Sequence, residues 1–310
     1  MEFLELLAGI RNGILDPIVL ALTEFGGEMA FTVIAMVFLW CVDKASGFQM
    51  IFAWTIGSAS TQLMKVHFRI PRPWVRDPSF TAVEGAIADA GGYSFPSGHS
   101  QTAASVFGFA GYRAKNVILK VVCYLLIPAV MFSRMYLGVH TPADVVVGAV
   151  CGLIPVALVI FLLERCGRGG RIAVYVLPVA ISAVLLIYAA VSGLAPTDET
   201  FAEGLFNSGK LLGAAGAMVI SAEYDRKKLN FSTDAVWYAQ ILKCVVGAVG
   251  LLAIRSGLKE VFALFTDGLS GNAFYAVETV LGGVRYFAMM IFAGILYPMT
   301  FKLWRKLGKK

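Results

Sequence analysis

Long apolar stretches, separated by short polar segments, run along most of this chain. Each approaches the roughly 20 residues that a helix needs to cross the hydrocarbon core of a bilayer. Continuous hydrophobicity is typical of spanning helices, whereas the strands of a transmembrane barrel alternate apolar and polar residues. The pattern predicts an all-α fold, a polytopic transmembrane helical bundle. Nine spans are expected, at about residues 28–43, 46–64, 98–113, 116–133, 143–164, 171–193, 209–222, 235–255 and 276–301.

Composition also indicates a membrane protein. Of the 310 residues, 58% are hydrophobic and 15% are charged, and the mean hydropathy is +0.75, far from the average soluble domain. The formal net charge is +6, but much of the basic charge lies in short loops at the predicted membrane edges. We therefore expect membrane lipids as partners and no nucleic acid.

The first 27 residues and the cysteines give weaker signals. No basic leader precedes a short apolar run, so a cleavable signal peptide is not expected. Apolar and charged residues at helical spacing predict an amphipathic helix on the membrane surface, although a simple lead-in to the first span is the alternative.

The five cysteines show no metal-ligand spacing, so neither a zinc site nor a disulfide framework is expected.

Basic clusters predict the orientation of the spans. With nine spans, four clusters fall on one side, which the positive-inside rule makes cytoplasmic. They flank the turns near residues 113–120, 165–171 and 226–228 and form the C-terminal tail. The C-terminus is therefore predicted to be cytoplasmic, in the plasma membrane if the source is a prokaryote. The loop with Asp198, Glu199 and Glu203 falls on the opposite side.

Two segments on that outer side are also basic, which the rule does not explain. The first carries Lys65, Arg69 and Arg72 near its start, with Arg72 between Pro71 and Pro73. The flanking prolines restrict the backbone, so the guanidinium is expected to be aimed at a fixed point. A planar fork and a point charge together suit a phosphate. The alternative is that these are cations that snorkel to the membrane interface.

The same segment ends in Pro96-Ser97-Gly98-His99, which opens the third predicted span. A helix N-terminus attracts anions, and a glycine there allows an anion to approach the main chain closely. Ser97 also suits a helix cap, and both roles can coexist.

The second basic segment runs from Ser133 to Asp144. Thr141 is predicted to cap a helix that begins at Pro142, which places Asp144 in the first turn, within reach of His140. A carboxylate partner fixes the imidazole tautomer and leaves the other nitrogen free to attack. Alternatively, Asp144 only complements the helix dipole.

Together and in this order, the segments resemble the signature of the type 2 phosphatidic acid phosphatase (lipid phosphate phosphatase) family, K-x6-R-P, P-S-G-H and S-R-x5-H-x3-D. Every specified position is present. The resemblance implies that His140 is the nucleophile of a phosphohistidine intermediate, that Asp144 orients it and that His99 protonates the leaving oxygen. It also implies a phosphate-binding set of Lys65, Arg72, Ser97, Gly98 and Arg134. It implies no metal and no cofactor. Arg69 lies outside the signature and is a candidate for an extra phosphate contact.

The resemblance divides the chain into an N-terminal interfacial segment (1–27), a six-span phosphatase core (28–192) and an accessory transmembrane segment (193–310). Glycines spaced three or four apart at 209, 213 and 216 predict close helix packing, within the chain or in a homo-oligomer formed through the C-terminal spans.

The expected activity is hydrolysis of a lipid phosphate or diphosphate on the non-cytoplasmic face. Phosphatidic acid, sphingoid phosphates, phosphatidylglycerol phosphate and polyprenyl diphosphates all remain open as substrates. A phosphotransferase that uses the same phosphohistidine, a vanadium haloperoxidase-like enzyme and a non-catalytic lipid carrier are the alternatives.

Overall fold

A computed structural model describes residues 1–88, 90–192 and 199–307, and its regular structure there is entirely helical, as predicted. Asp89, Asp198 and the last three residues lie outside the described part, as do the side-chain surroundings of Glu199. The helices are α1 (Glu2–Ala8), α2 (Leu15–Thr23), α3 (Glu28–Val37), α4 (Lys44–Phe68), α5 (Pro73–Arg76), α6 (Glu84–Ile87), α7 (Gly98–Arg113), α8 (Val117–Tyr136), α9 (Pro142–Arg165), α10 (Gly167–Val191), α11 (Glu199–Tyr224), α12 (Trp237–Thr266), α13 (Gly271–Ile291) and α14 (Phe301–Trp304).

Each predicted span coincides with helical residues, but these helices differ in length and in apolar character. In the described residues, six helices are long and apolar enough to cross a membrane, or seven if one bent pair counts as a span. The six begin with α8 and include every later long helix. The bent pair joins Leu15–Gly26 to Glu28–Val42 at 51°. The chain is thus an integral membrane protein, while the count of nine crossings stays a prediction.

The remaining two predicted spans, α4 and α7, fall outside that set for a physical reason. Helix α7 has 16 residues, about 24 Å of helix, which is shorter than a typical hydrocarbon core of about 30 Å. Helix α4 has 25 residues but carries polar side chains such as Ser58, Thr61 and Gln62. It packs against α7, α9, α10 and α11. Both helices are interior elements that need not be apolar all round.

The accessory segment is joined to the core at the end of the bundle opposite the signature residues. Lys44, at the start of α4, forms an ion pair with Asp225 at 2.9 Å. Trp40 Nε1 donates to the carbonyl of Ala293 at 2.8 Å. Asp225, to which the sequence assigns no role, therefore has a structural one. Its carboxylate also accepts a hydrogen bond from the backbone amide of Phe231.

Two of the three spaced glycines are used inside the chain. A Cβ built on Gly209 would lie 2.3 Å from the carbonyl oxygen of Thr279, and one on Gly213 would lie 2.1 Å from that of Gly283. Only glycine permits such contact between α11 and α13. A homo-oligomer through these spans stays a prediction.

The N-terminal segment packs on the core at the end that carries the signature residues. Arg11 Nε donates to the carbonyl of Tyr136 at 2.8 Å, and the Tyr136 hydroxyl donates to Asp16 at 2.7 Å. A 3₁₀ turn at Glu24–Gly26 follows α2. Gly26 lies against the first turn of α7, because a Cβ there would be 2.8 Å from the carbonyl oxygen of His99. Whether this segment also lies on a membrane surface stays a prediction.

Candidate active site

A polar cavity of about 360 Å³ lies where the ends of α4 and α8 meet the beginnings of α7 and α9. Six of the eight predicted site residues line it, namely Lys65, Arg72, Gly98, His99, Arg134 and His140. The other two, Ser97 and Asp144, are buried directly behind. The three separate sequence segments thus converge on one site.

The third segment folds locally as its sequence predicts. Thr141 caps α9 and Pro142 is its first residue, with a reciprocal capping box between Thr141 and Asp144. Asp144 Oδ2 accepts the Thr141 amide at 2.8 Å and lies 3.6 Å from His140 Nδ1. It also accepts the hydroxyl of Ser94 at 2.7 Å. These contacts hold the carboxylate beside the imidazole.

Arg72 fixes the tautomer of His140. Its Nη1 lies 2.9 Å from His140 Nε2. A guanidinium has donors only, so Nε2 must accept through its lone pair. The ring proton of neutral His140 is then on Nδ1, on the side of Asp144. The nitrogen with the lone pair lies beside Arg72, and both residues line the cavity.

Main-chain carbonyls hold the Arg72 fork in place. The residue is extended, with φ −63° and ψ 155°, immediately before Pro73. Its Nη1 also donates to the carbonyl of Val139 at 3.1 Å, its Nε to Gly92 at 3.2 Å and its Nη2 to Gly91 at 2.5 Å. The prediction of an aimed guanidinium agrees with this geometry.

The second segment supplies the anion-binding end of α7. Ser97 caps the helix by accepting the Ser100 amide. A Cβ built on Gly98 would meet nothing within 4 Å, so the main chain there is open to the cavity. Free N–H groups of a first turn bind anions, and the helix dipole strengthens the effect.

Gly148 sets the distance between α7 and α9 at the site. A Cβ on Gly148 would lie 2.4 Å from the carbonyl oxygen of Ser97. The Ser97 amide in turn donates to the carbonyl of Asp144 at 2.9 Å. Close packing of the two helices therefore brings the helix cap next to the carboxylate.

We expect Gly148→Ala to destabilise the protein by about 1–3 kcal/mol, because the methyl group would overpack this contact and force the helices apart. Thermal melting in detergent measures the loss, together with phosphate release. Gly169→Ala is the matched control, since a Cβ there meets nothing within 4 Å. Equal melting temperatures for the two variants would contradict the assignment.

Lys65 and Arg134 complete the cationic wall, and both are almost fully buried. Lys65 Nζ donates to the carbonyl of Tyr93, and Arg134 Nη1 donates to the hydroxyl of Thr23 at 2.9 Å. Arg69, in contrast, does not line the cavity; it lies over the ring of Phe201 at 5.9 Å.

Sequence reasoning missed two partners of the site. Ser94 binds Asp144 and Thr23 binds Arg134. Ser94 stands three residues before Ser97, so its nearness to the motif was a usable signal. Thr23 lies 111 residues from Arg134, and nothing in its neighbourhood marks it.

The charges of the site act on His140, which lies between α8 and α9. Burial and the neighbouring guanidinium of Arg72, followed by Arg134 and Lys65, hold its pKa well below the usual histidine range. Burial lowers the pKa of Arg72 to about 10, so that side chain stays charged at neutral pH. The site therefore offers a neutral imidazole beside a cationic wall.

We expect a bell-shaped pH dependence of kcat/KM whose acid limb lies below about pH 6.5, the ordinary histidine value. The lowered pKa means that His140 binds a proton only in more acidic solution than an ordinary histidine does, so the proposed nucleophile keeps its lone pair to lower pH. The limb at higher pH reports loss of the proton that His99 is proposed to donate. Initial rates between pH 4 and pH 10 test this expectation, and a rate that rises monotonically with pH would contradict it.

In the described residues, no group of three or more His, Cys, Asp or Glu side chains is arranged to hold a metal ion. The absence of a metal requirement stays a prediction that rests on the resemblance.

Two family models match the chain. The PAP2 superfamily model matches residues 46–168, which include all eight predicted site residues, from Lys65 to Asp144. A second model, the transmembrane extension of PAP2 superfamily phosphatases, matches residues 209–310. These ranges lie within the predicted core and accessory segments, although the division at residues 27 and 192 stays a prediction.

Two curated proteins are similar in sequence to parts of this chain. A probable sphingosine-1-phosphate phosphatase of Dictyostelium discoideum is 28% identical over 161 residues, 46% of this chain and 37% of that protein. Sphingosine-1-phosphate phosphatase 1 of Rattus norvegicus is 22% identical over 262 residues, 77% of this chain and 58% of the rat protein. The matches thus span only part of each relative.

No solved structure matches the chain significantly. The two matched regions follow each other along the sequence, and the complete signature lies around one cavity. The chain thus contains a PAP2 superfamily domain followed by the transmembrane extension of PAP2 superfamily phosphatases.

Proposed function

We propose that the protein is an integral-membrane phosphatase that hydrolyses a lipid phosphate or diphosphate through a phosphohistidine at His140. One observation carries this proposal. His140 Nε2, which carries the lone pair, lies 2.9 Å from Arg72 Nη1 on the wall of a cavity that also combines Lys65 and Arg134 with the N-terminus of α7. Phosphoryl transfer needs mainly positioning and charge neutralisation at the phosphate oxygens, and this wall supplies both.

In the first step, Nε2 of His140 forms a bond to phosphorus while the bond from phosphorus to the lipid oxygen breaks. Asp144 accepts a hydrogen bond from Nδ1–H and stabilises the positive charge that develops on the ring. His99, in the first turn of α7, gives a proton to the departing lipid oxygen. The products of this half-reaction are a phosphohistidine and the dephosphorylated lipid, or the monophosphate lipid if the substrate is a diphosphate.

In the second step, water attacks phosphorus and the bond to Nε2 breaks. His99, now deprotonated, accepts a proton from the water, which restores both histidines. Inorganic phosphate leaves the cavity. A phosphotransferase would differ only here, with an alcohol in place of water.

The walls of the cavity suit a headgroup that arrives from a bilayer. In the described residues, helix α4 packs against both α3 and α11, whereas α3 and α11 have few or no contacts with each other. Met29, Trp54 and Asn207 line the cavity along this gap. A lipid chain could remain beside the bundle while its phosphate enters. The names of the two relatives place sphingoid base phosphates among the substrates to test.

The site is proposed to face the non-cytoplasmic side, with the C-terminus cytoplasmic. The support is the distribution of basic residues, which form four clusters at the opposite end of the bundle. The basic residues at the cavity are then explained by phosphate binding.

The test is phosphate release in nanodiscs from a panel of phosphatidic acid, sphingoid phosphates, phosphatidylglycerol phosphate and polyprenyl diphosphates. We expect turnover of at least one of them, with inhibition by vanadate, which resembles a phosphate in transition. Phosphoryl transfer to an added lipid alcohol in preference to water would replace hydrolysis by transfer. Halide oxidation on addition of vanadate, without phosphate release, would overturn the proposal.

A further inference from the structure

A carboxylate outside the family signature faces the phosphate cavity. Glu203, in the first turns of α11, lines the cavity together with Lys65, Arg72 and His140. It lies between the two regions that the family models match, residues 46–168 and 209–310. The accessory segment therefore contributes a charged side chain to the site.

Two glycines hold Glu203 in this place. A Cβ built on Gly204 would lie 2.7 Å from Val66 Cγ2, so the turn of α11 lies directly against the end of α4, next to Lys65. On the other side, a Cβ on Gly91 would lie 2.5 Å from Glu203 Oε2. Gly91 and Gly92 are the residues whose carbonyls hold Arg72. The carboxylate is thus packed against the loop that aims the phosphate-binding guanidinium.

The negative charge of Glu203 acts on two cations of the site. It interacts electrostatically with both Lys65 and Arg72, yet no ion pair within 4 Å joins it to either in the described part of the chain. A carboxylate in this position repels a bound phosphate, because like charges at short range in a partly buried site destabilise each other. A substrate that carries only negative charge gains nothing from it.

A substrate that also carries a cation would reverse this effect. An ammonium group a few bonds from the phosphate ester would lie between the phosphate and Glu203 and interact favourably with both. Asn207, one turn further along α11, also lines the cavity and offers an amide oxygen as a second acceptor. Two more carboxylates, Glu24 and Glu28, lie on the cavity wall and have the same sign.

We propose that Glu203 is a specificity-determining residue that binds the ammonium group of an amino-lipid phosphate, as in a sphingoid base 1-phosphate. The inference rests on the proposed function and narrows its substrate class. It differs from a role as a simple counter-ion, because a counter-ion would affect all phosphate esters alike.

The experiment compares two substrates that differ only at the amine, sphinganine 1-phosphate and its N-acetyl derivative, in nanodiscs of neutral lipid. We expect the wild-type protein to prefer the free amine, and Glu203→Gln to reduce the ratio of the two kcat/KM values by about 10-fold or more, the value of one charge-assisted hydrogen bond. The loss should fall on the amine substrate, with the N-acetyl substrate hydrolysed equally well or faster.

Two further variants complete the design. Glu203→Asp keeps the charge and is expected to retain part of the preference. Glu84→Gln removes an exposed carboxylate at the start of α6 that does not line the cavity, and it should leave the ratio unchanged. Turnover of the N-acetyl substrate reports whether each variant is folded, and if Glu203→Gln fails to fold, the ratio of Glu203→Asp decides.

The outcomes separate the two proposals. If the wild-type protein releases phosphate from neither substrate nor from any other lipid phosphate, the proposed function fails. If it hydrolyses both substrates but without preference, or if Glu203→Gln slows both to the same extent, only the ammonium site is overturned.

Discussion

Replacement of His140 by alanine is expected to lower kcat for phosphate release by about four orders of magnitude or more, the scale found when a nucleophile is removed from an enzyme. The variant has no nitrogen to bond to phosphorus, so the first half-reaction cannot occur. Arg72 keeps its contacts with Gly91, Gly92 and Val139. The phosphate site therefore persists, and the loss should appear in kcat more than in substrate affinity.

The intermediate gives a second measurement. Substrate with a radiolabelled phosphate, quenched in alkali to preserve a phosphohistidine, should label the wild-type protein and not the His140→Ala protein. His67→Ala is the matched control, because His67 contacts the hydroxyl of Tyr188 at 3.0 Å and does not line the cavity. Full turnover by His140→Ala would overturn the mechanism.

Replacement of His99 by alanine is expected to slow lipid hydrolysis by about 10²–10⁴-fold, the usual contribution of a general acid. The size of the effect should depend on the leaving group. A lipid alkoxide is strongly basic and needs the proton of His99. A nitrophenolate is weakly basic and can leave without one, so p-nitrophenyl phosphate should lose much less activity.

This comparison distinguishes an acid from a binding residue. A histidine that only binds phosphate would slow both substrates equally, because the phosphate group is the same. With the nitrophenyl ester, the slow step of the His99→Ala protein should become the hydrolysis of the phosphohistidine, visible as a burst of nitrophenolate followed by slow turnover. Equal losses on the two substrates would remove His99 from the role of acid.

The parts of the site that follow from local chemistry could be predicted from the sequence. Thr141 and Pro142 start a helix wherever the neighbouring chain allows it, and Asp144 then stands three residues past the cap. Ser97 caps α7 for the same reason. Arg72 is extended because a proline follows it. In each case residues within four positions determine the geometry.

The partners brought in by long-range packing could not be predicted. Thr23 reaches Arg134 only because α2 packs on α8, and Glu203 reaches the cavity only because Gly204 lets α11 approach α4. Neither contact can be recognised from the residues that neighbour Thr23 or Glu203 in the sequence. The sequence predicts only that Glu203 belongs to an acidic loop on the non-cytoplasmic side of the membrane.

The span prediction has a related weakness. Apolar character predicts spans at α4 and α7, yet α7 has only 16 residues and α4 carries polar side chains that face other helices. Two of the four helices that meet at the cavity therefore lie outside the set that is long and apolar enough to cross a membrane. Burial among other helices, rather than contact with lipid, accounts for them.

The contact between Arg72 and His140 engages the lone pair of the proposed nucleophile in a hydrogen bond. A lone pair that already accepts a hydrogen bond is a poor target for acylating or alkylating reagents. On the proposed mechanism, a phosphate that enters the cavity would compete for the same guanidinium and release the imidazole when phosphorus is in range. The reactivity of His140 would then depend on whether a phosphate is bound.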